Sequence, residues 1–150
     1  MNAYNNGFRS NAPQPPSYVS AVAKKLPPEY VDLAEKVMMG LIRQDNKGNA
    51  MFDITLSKIR KILSLITDIL NDENLRQEDT LTDESYQKLQ MARVRIAYDA
   101  GREQKVKDFV VKSELLSYIK GVGRSRVEFI KFARYVESLV AWHRYMGGSN

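Results

Sequence analysis

The chain has 150 residues, a length that fits one domain. Its 23 Lys and Arg residues outnumber its 18 Asp and Glu residues, and the net charge of +5 is compatible with an anionic partner such as nucleic acid. The chain has no cysteine, which excludes disulfides, thiolate metal sites and cysteine nucleophiles. It has neither a signal-peptide pattern nor an apolar run near the roughly 20 residues that span a bilayer, so we expect a cytoplasmic protein.

The N-terminal part of the chain is rich in Asn, Ser, Pro and Tyr and poor in core-forming residues. Such a composition favours disorder, so we expect a flexible tail over residues 1–26 and a helical domain over residues 27–148. Pro27 and Pro28 suit a first helical turn and open a helix that ends near Leu41. A turn predicted around Asn46 and Gly48 follows it.

A second helix begins after Thr55, a residue suited to an N-cap, and buries one regular apolar face up to Leu70. Its first turns carry three cations, Lys58, Arg60 and Lys61. Cations are unfavourable near a helix N-terminus, whose dipole attracts anions. Either an anionic ligand explains them, or their position is due to chance.

A third helix is predicted from Glu84 to Glu103, after an acidic segment that begins at Asp68. It carries two apolar stripes, which are Tyr86, Leu89, Ala92, Ile96 and Ala100 on one face and Met91, Val94 and Tyr98 on another. A helix with two apolar faces is normally covered on both sides, so we expect it in the middle of the domain. A line of cations runs between the stripes at seven-residue spacing and consists of Lys88, Arg95 and Arg102. Arg93 falls inside the first stripe, where it needs a carboxylate or carbonyl partner.

The remaining pattern predicts a fourth helix over 106–120, a loop over 121–124 and a last helix opened by a Ser125–Glu128 capping box. The side of the last helix opposite its apolar face mixes cations with aromatic residues, namely Lys131, Arg134, Tyr135, Trp142 and Tyr145. This mixture suits either base stacking with phosphate binding or a subunit interface. Since no alternation is long enough for a sheet, the predicted fold is all-α, a compact bundle of about five helices with a disordered N-terminal tail.

Catalysis has little support in the sequence. The single histidine, His143, lies on the apolar side of the last helix, where a structural role is commonest. Asp99 and Glu103 share one helix face, but neighbouring cations favour salt bridges over a metal pair. We expect no enzyme activity, metal, cofactor or small-molecule substrate, because no nucleotide-binding or nucleophile motif is present either.

A short segment, residues 115–136, is similar to a helix-hairpin-helix element, in which a Gly-x-Gly turn exposes backbone amides to a DNA phosphate. Gly121 and Gly123 would be the hairpin glycines, flanked by Arg124 and Arg126. Lys120 stands where that family usually has proline or leucine.

A longer resemblance covers about four fifths of the chain. The strings ITLSKIRKIL, VRIAYDAGRE, VKDF and FARYVESLVAWHRYMGG begin at residues 54, 94, 106 and 132. In this order and spacing they resemble the small subunit of the Csm complex, the type III-A CRISPR RNA-guided effector. Asp99, Ser138 and Trp142 depart mildly from the family pattern.

This resemblance implies a noncatalytic RNA-binding subunit in antiviral defence. Several copies would stack along the guide RNA–target RNA duplex, beside the backbone subunits and the large subunit, and would hold the target strand through its backbone. Base pairing would supply the sequence selection. The candidate RNA-binding residues within matched motifs are Lys58, Arg60, Arg102 and Arg134, and those chosen by helix face are Lys61, Arg95, Arg126 and Lys131. The alternatives are a free-standing nonspecific DNA-binding protein that uses the GVG loop and a purely structural assembly subunit.

Overall fold

The structure is a computed structural model that describes residues 19–150. Within this range six helices are connected by short loops and one small hairpin. In chain order they are α1 (Tyr30–Met39), β1 (Arg43–Gln44), β2 (Ala50–Met51), α2 (Leu56–Glu73), α3 (Asp83–Arg102), α4 (Gln104–Ser113), α5 (Leu115–Val122) and α6 (Arg126–Tyr145). The predicted all-α class is confirmed, with one helix more than expected and a two-stranded antiparallel hairpin in the predicted turn.

The additional helix arises because the predicted fourth helix is divided at Glu114. This residue has left-handed backbone angles, φ 55° and ψ 34°, which end α4 and start α5 in a new direction. The carbonyl of Ser113 at the break accepts a hydrogen bond from the buried Tyr135 hydroxyl at 2.8 Å. A bend here lets Phe109 and Leu115 both reach the core, although no glycine or proline in the sequence marks it.

Polar side chains cap the N-termini of three helices. Thr55 accepts a hydrogen bond from the Lys58 amide at the start of α2, as predicted, and Thr82 caps α3 in the same way through Ser85. Ser125 accepts from the Glu128 amide at the start of α6, which is one half of the predicted capping box. These caps fix where each amphipathic helix begins and therefore which face it turns inward.

The central helix of the bundle is α6, which packs against α1, α2 and α5. Its buried face contains Phe129, Phe132, Ala133, Tyr135, Val136 and Leu139. The expectation that α3 lies in the middle is wrong, because α3 contacts α2, α4 and α5 on one side only. Its first apolar stripe is largely buried, whereas its second, Met91, Val94 and Tyr98, is exposed.

The segment before α1 lies against α5 and α6. The Lys24 amide donates to the Ser117 carbonyl at 3.0 Å, and Leu26 is buried in the core. The Lys120 ammonium donates to the Ala21 carbonyl at 2.8 Å. The division of the chain at residue 26 stays a prediction: residues 21–26 make these contacts, and residues 1–18 of the predicted tail lie outside the described part.

Candidate nucleic-acid interface

Four of the eight cations predicted to bind RNA lie on the neighbouring surfaces of α2 and α3. Lys58 and Lys61 of α2 and Arg102 of α3 line one hollow of about 210 Å³, and Arg95 lines the adjoining groove between the same helices. We call the surface formed by Lys58, Lys61, Arg95 and Arg102 the α2–α3 edge. It brings together residues that are more than thirty positions apart in sequence and that the helix pattern alone treats separately.

Acidic residues at the C-terminal end of α3, Asp99 within the helix and Glu103 just after it, reach the two lysines of this edge. Lys58 Nζ lies 3.0 Å from Glu103 Oε2, and Lys61 Nζ lies 3.7 Å from Asp99 Oδ2. Asp99 and Glu103 are therefore salt-bridge residues, as expected, but their partners come from α2. All four side chains keep some exposure, so each pair contributes about 0–1 kcal/mol to stability.

Unlike the two lysines, the two arginines of the α2–α3 edge form no salt bridge within the described chain. Arg95 and Arg102 are exposed and have no carboxylate within 4.0 Å among the described residues. The Arg102 guanidinium lies over the Tyr98 ring, 5.5 Å from its centre, which is a cation–π contact. Lys88, the third member of the predicted line, pairs instead with Asp72 at 3.0 Å and Glu84 at 3.5 Å.

The other four candidates lie elsewhere. Arg60 is exposed on α2 and lines neither hollow. Arg126 is almost buried, and its guanidinium donates twice to the Glu73 carbonyl, at 2.6 and 2.9 Å. Lys131 donates to the Leu26 carbonyl at 2.8 Å, and Arg134 pairs with Glu137 at 3.0 Å. Among the α6 cations, Arg126 and Lys131 thus donate hydrogen bonds to backbone carbonyls and stabilise the fold.

Two further expectations about side chains meet different outcomes. Arg93 is only half-buried, and of the two kinds of expected partner it has the carbonyl: it donates to the side-chain carbonyl oxygen of Gln90 at 3.4 Å and has no acidic partner within 4.0 Å in the described chain. The predicted aromatic face of α6 is also broken up, because Tyr135 is buried and the Trp142 indole donates to the Val31 carbonyl of α1. Tyr145 alone of its aromatic residues is largely exposed.

The two glycines of the predicted hairpin differ in their surroundings: Gly123 is exposed, with nothing within 4 Å of an added Cβ, whereas Gly121 is closely packed. Gly121 lies inside α5 against the Lys24 backbone, so closely that an added Cβ would sit 1.7 Å from the Lys24 carbonyl oxygen. The segment before α3 pairs with the loop, since the Arg126 amide donates to the Asp79 carbonyl and the Leu81 amide to the Arg124 carbonyl. These contacts count against the helix-hairpin-helix interpretation.

His143 is buried between α6 and the chain before α2. Its Nε2 lies 2.9 Å from the Ile54 carbonyl, its ring packs 4.6 Å from that of Phe52, and burial lowers its pKa. A neutral, enclosed ring fits the structural role that the sequence favours. Across residues 19–150 no cluster of metal-ligating side chains is found, and none of these helices is both long and apolar enough to cross a membrane.

Sequence reasoning missed the residue that holds Arg126 in place. Glu73 is fully buried, and its carboxylate accepts hydrogen bonds from Arg76 and from the Thr82 amide. Burial alone would raise the pKa of Glu73, but hydrogen bonds from Ser85, Thr82 and Arg76 outweigh it and keep that pKa below its ordinary value. The available signal was that Glu73 lies on the buried face of α2, at its C-terminal end. From the sequence we instead counted it as part of the acidic segment that begins at Asp68, which we expected to be exposed to solvent.

The structure is that of a small helical protein that presents cations along an edge between two helices. Comparison with known families agrees: the family described as Csm2 Type III-A matches residues 35–149. The chain therefore belongs to the Csm2 family, the small subunit of the type III-A CRISPR Csm complex, whose partners are the other Csm subunits and the guide RNA. The resemblance found in the sequence is confirmed.

Several curated relatives carry the name "CRISPR system Cms protein Csm2". The protein of Streptococcus thermophilus is 39% identical over 122 residues, which cover 81% of this chain and 93% of the relative. That of Mycobacterium tuberculosis (strain CDC 1551 / Oshkosh) is 36% identical over 118 residues, 79% of this chain and 91% of the relative. That of Enterococcus italicus is 29% identical over 133 residues, 83% of this chain and 95% of the relative.

Proposed function

We propose that this Csm2 subunit holds the target RNA strand beside the guide RNA through contacts with its phosphates, and that the α2–α3 edge makes them. The observation that supports this most is the convergence of Lys58, Lys61 and Arg102 around one hollow, with Arg95 one turn before Asp99 on the same helix. Arginine forks suit phosphate oxygens, and lysines act as point charges beside them.

The proposal assigns no chemistry to this subunit. Its single histidine is enclosed, and the cations of the edge bind through charge, which neither distinguishes bases nor cleaves a phosphodiester. Sequence selection then belongs to guide–target pairing, and several copies of this chain along the duplex each hold a short length of backbone. Arg60 and Arg134, exposed outside the edge, are secondary contacts in this proposal.

The test compares the double variant Arg95→Ala, Arg102→Ala with wild type in binding single-stranded RNA over a range of salt concentrations. Wild type should bind without sequence preference and lose affinity steeply with salt, because counterions are released from the RNA. The double variant should bind more weakly, with a salt slope smaller by about one unit for each lost phosphate contact. Unchanged affinity and slope would contradict the proposal.

A matched control removes the same two charges elsewhere. Lys36 on α1 and Lys107 on α4 are exposed and have no carboxylate within 4.0 Å in the described chain. Lys36→Ala with Lys107→Ala should therefore lower RNA affinity much less than the edge variant. Equal losses in the two doubles would mean that net charge, and not the edge, governs binding.

The same variants separate RNA retention from assembly. Each is co-expressed with the other Csm subunits, and its incorporation is measured beside target-RNA retention. The proposal requires normal incorporation with reduced retention for the edge variant. Loss of incorporation with unchanged RNA affinity of the free subunit would favour a purely structural assembly role.

A further inference from the structure

The hollow at the α2–α3 edge contains hydrogen-bond acceptors as well as cations. Besides its three cations, the lining includes Asp99 and Glu103, whose side chains are 16% and 38% exposed. The lining therefore carries three positive and two negative charges, a net of one positive charge. A site that bound phosphate alone would gain nothing from the two carboxylates, because they repel it. Their presence indicates either a role in the fold or a second group in the ligand.

Neither carboxylate is engaged in a hydrogen bond within the described part of the chain. The lysines of the edge approach them as ion pairs, at 3.0 and 3.7 Å, but no backbone or side-chain group among residues 19–150 donates to their oxygens. In contrast, Asp53 and Asp72 each accept a hydrogen bond from the cation they pair with, at 2.7 and 3.0 Å. An ionised carboxylate offers about four lone-pair sites and can only accept. Asp99 and Glu103 thus keep acceptor capacity for a donor that enters the hollow.

The sugar of RNA carries a donor of this kind. Each ribose has a 2′-hydroxyl, which is the group that lets a protein distinguish RNA from DNA. A carboxylate that binds a ribose hydroxyl beside a phosphate site is a recurrent arrangement in nucleotide-binding folds. The hollow of about 210 Å³ is smaller than the roughly 300–1,000 Å³ pockets of drug-sized ligands, so it suits one sugar–phosphate unit without its base. The buried Ile62 and Val106 give the lining an apolar part, against which the carbons of a sugar ring can pack.

We propose that Asp99 and Glu103 accept hydrogen bonds from ribose 2′-hydroxyl groups of the strand whose phosphates the cations of the α2–α3 edge hold. The hollow then selects RNA over DNA without contacting the bases. The 2′-hydroxyls and phosphates of an A-form duplex border the same wide minor groove, so one protein edge can reach both. This inference rests on the proposed function, because the edge must hold the phosphates for the sugars to reach the carboxylates.

The first test changes only the sugar of the ligand. The full chain is titrated, at one salt concentration, with oligouridine strands of equal length that contain ribose, deoxyribose or 2′-fluororibose. The 2′-fluoro strand keeps the charge and the ribose-like sugar pucker but has no hydroxyl to donate. The ribose strand should bind about tenfold more tightly than the other two, the effect expected when a hydrogen bond to a charged group is lost. Equal binding of the ribose and 2′-fluoro strands would overturn the proposal.

The second test removes the acceptors. The double variant Asp99→Ala, Glu103→Ala should bind the deoxyribose strand at least as tightly as wild type does, because two negative charges leave a phosphate site, yet its preference for ribose should disappear. Asp99 lies inside α3, and the Glu103 side chain makes no cap at the start of α4, so the variant should fold and melt close to wild type. A double variant that still prefers ribose as wild type does would refute the assignment of the two carboxylates.

A matched control removes two exposed carboxylates outside the hollow, Asp32 on α1 and Asp108 on α4. Asp32→Ala with Asp108→Ala should keep the ribose preference of wild type, and an equal loss of preference in this control would overturn the proposal. The double variant Arg95→Ala, Arg102→Ala separates the two proposals. If it loses RNA affinity while wild type does not distinguish the sugars, only the sugar contact fails. If its RNA affinity is unchanged, both proposals fail.

Discussion

Replacing Glu73 by alanine should be among the most damaging single changes to this subunit. The carboxylate is fully buried and accepts from the Thr82 amide at 3.1 Å, the Thr82 hydroxyl at 3.3 Å and Arg76. Its removal leaves the part-buried Thr82 amide without this partner, which costs up to about 1–3 kcal/mol, and the charged hydrogen bond from Arg76 unmade, which costs about 1.5–3 kcal/mol more. Arg76 and Arg126 keep carbonyl partners, at Thr80 and Glu73, which limits the loss.

We therefore expect Glu73→Ala to lower the free energy of unfolding by about 3–5 kcal/mol, the range for breaking a buried ion pair. That is a large share of a typical stability of roughly 5–15 kcal/mol. Glu73→Gln, which keeps the shape and one acceptor, should lose about half as much. Urea unfolding followed by far-ultraviolet circular dichroism measures both.

Glu78→Ala is the matched control, because Glu78 also approaches Arg76, at 3.5 Å, but is 66% exposed. It should cost no more than about 1 kcal/mol. A Glu73→Ala protein within that same margin of wild type would refute the assignment of Glu73 as the buried acceptor that joins α2, the α3 cap and α6.

Three further predictions concern the core and its pH response. Because burial lowers the pKa of His143, the unfolded chain binds a proton at this residue more readily than the folded chain does, so stability should fall as pH drops below about 6.5. His143→Gln should reduce this dependence of stability on pH. An unchanged dependence in thermal melts over a pH series would contradict the prediction. Gly121→Ala should loosen the segment before α1, because its Cβ would meet the Lys24 carbonyl oxygen, and amide exchange should increase there first; unaltered protection would count against this packing. Tyr135→Phe should lower stability by about 0.5–1.5 kcal/mol through loss of the hydrogen bond to Ser113, and an equally stable variant in urea unfolding would show that this bond does not hold the α4–α5 break.

The amino-acid sequence by itself determined the features that repeat locally. The apolar period specified the helices and most of their buried faces, and the side chains of Thr55 and Ser125 marked two of their starts. Ordered motifs spread over most of the chain were enough to identify the Csm2 family. The information on helices and caps lies within one or two helical turns of each residue, where spacing alone decides which side chains share a face.

Only the tertiary structure decided which cations have partners. Arg126 meets the Glu73 carbonyl 53 positions away, and Lys58 meets Glu103, which joins α3 to α4, so neither pairing is visible in local spacing. The division at Glu114 likewise depends on Tyr135 of α6, which satisfies the Ser113 carbonyl where the helix is broken. The exposed stripe of α3 has the same cause: the period identifies an apolar face, but the packing of the other helices decides whether that face is covered.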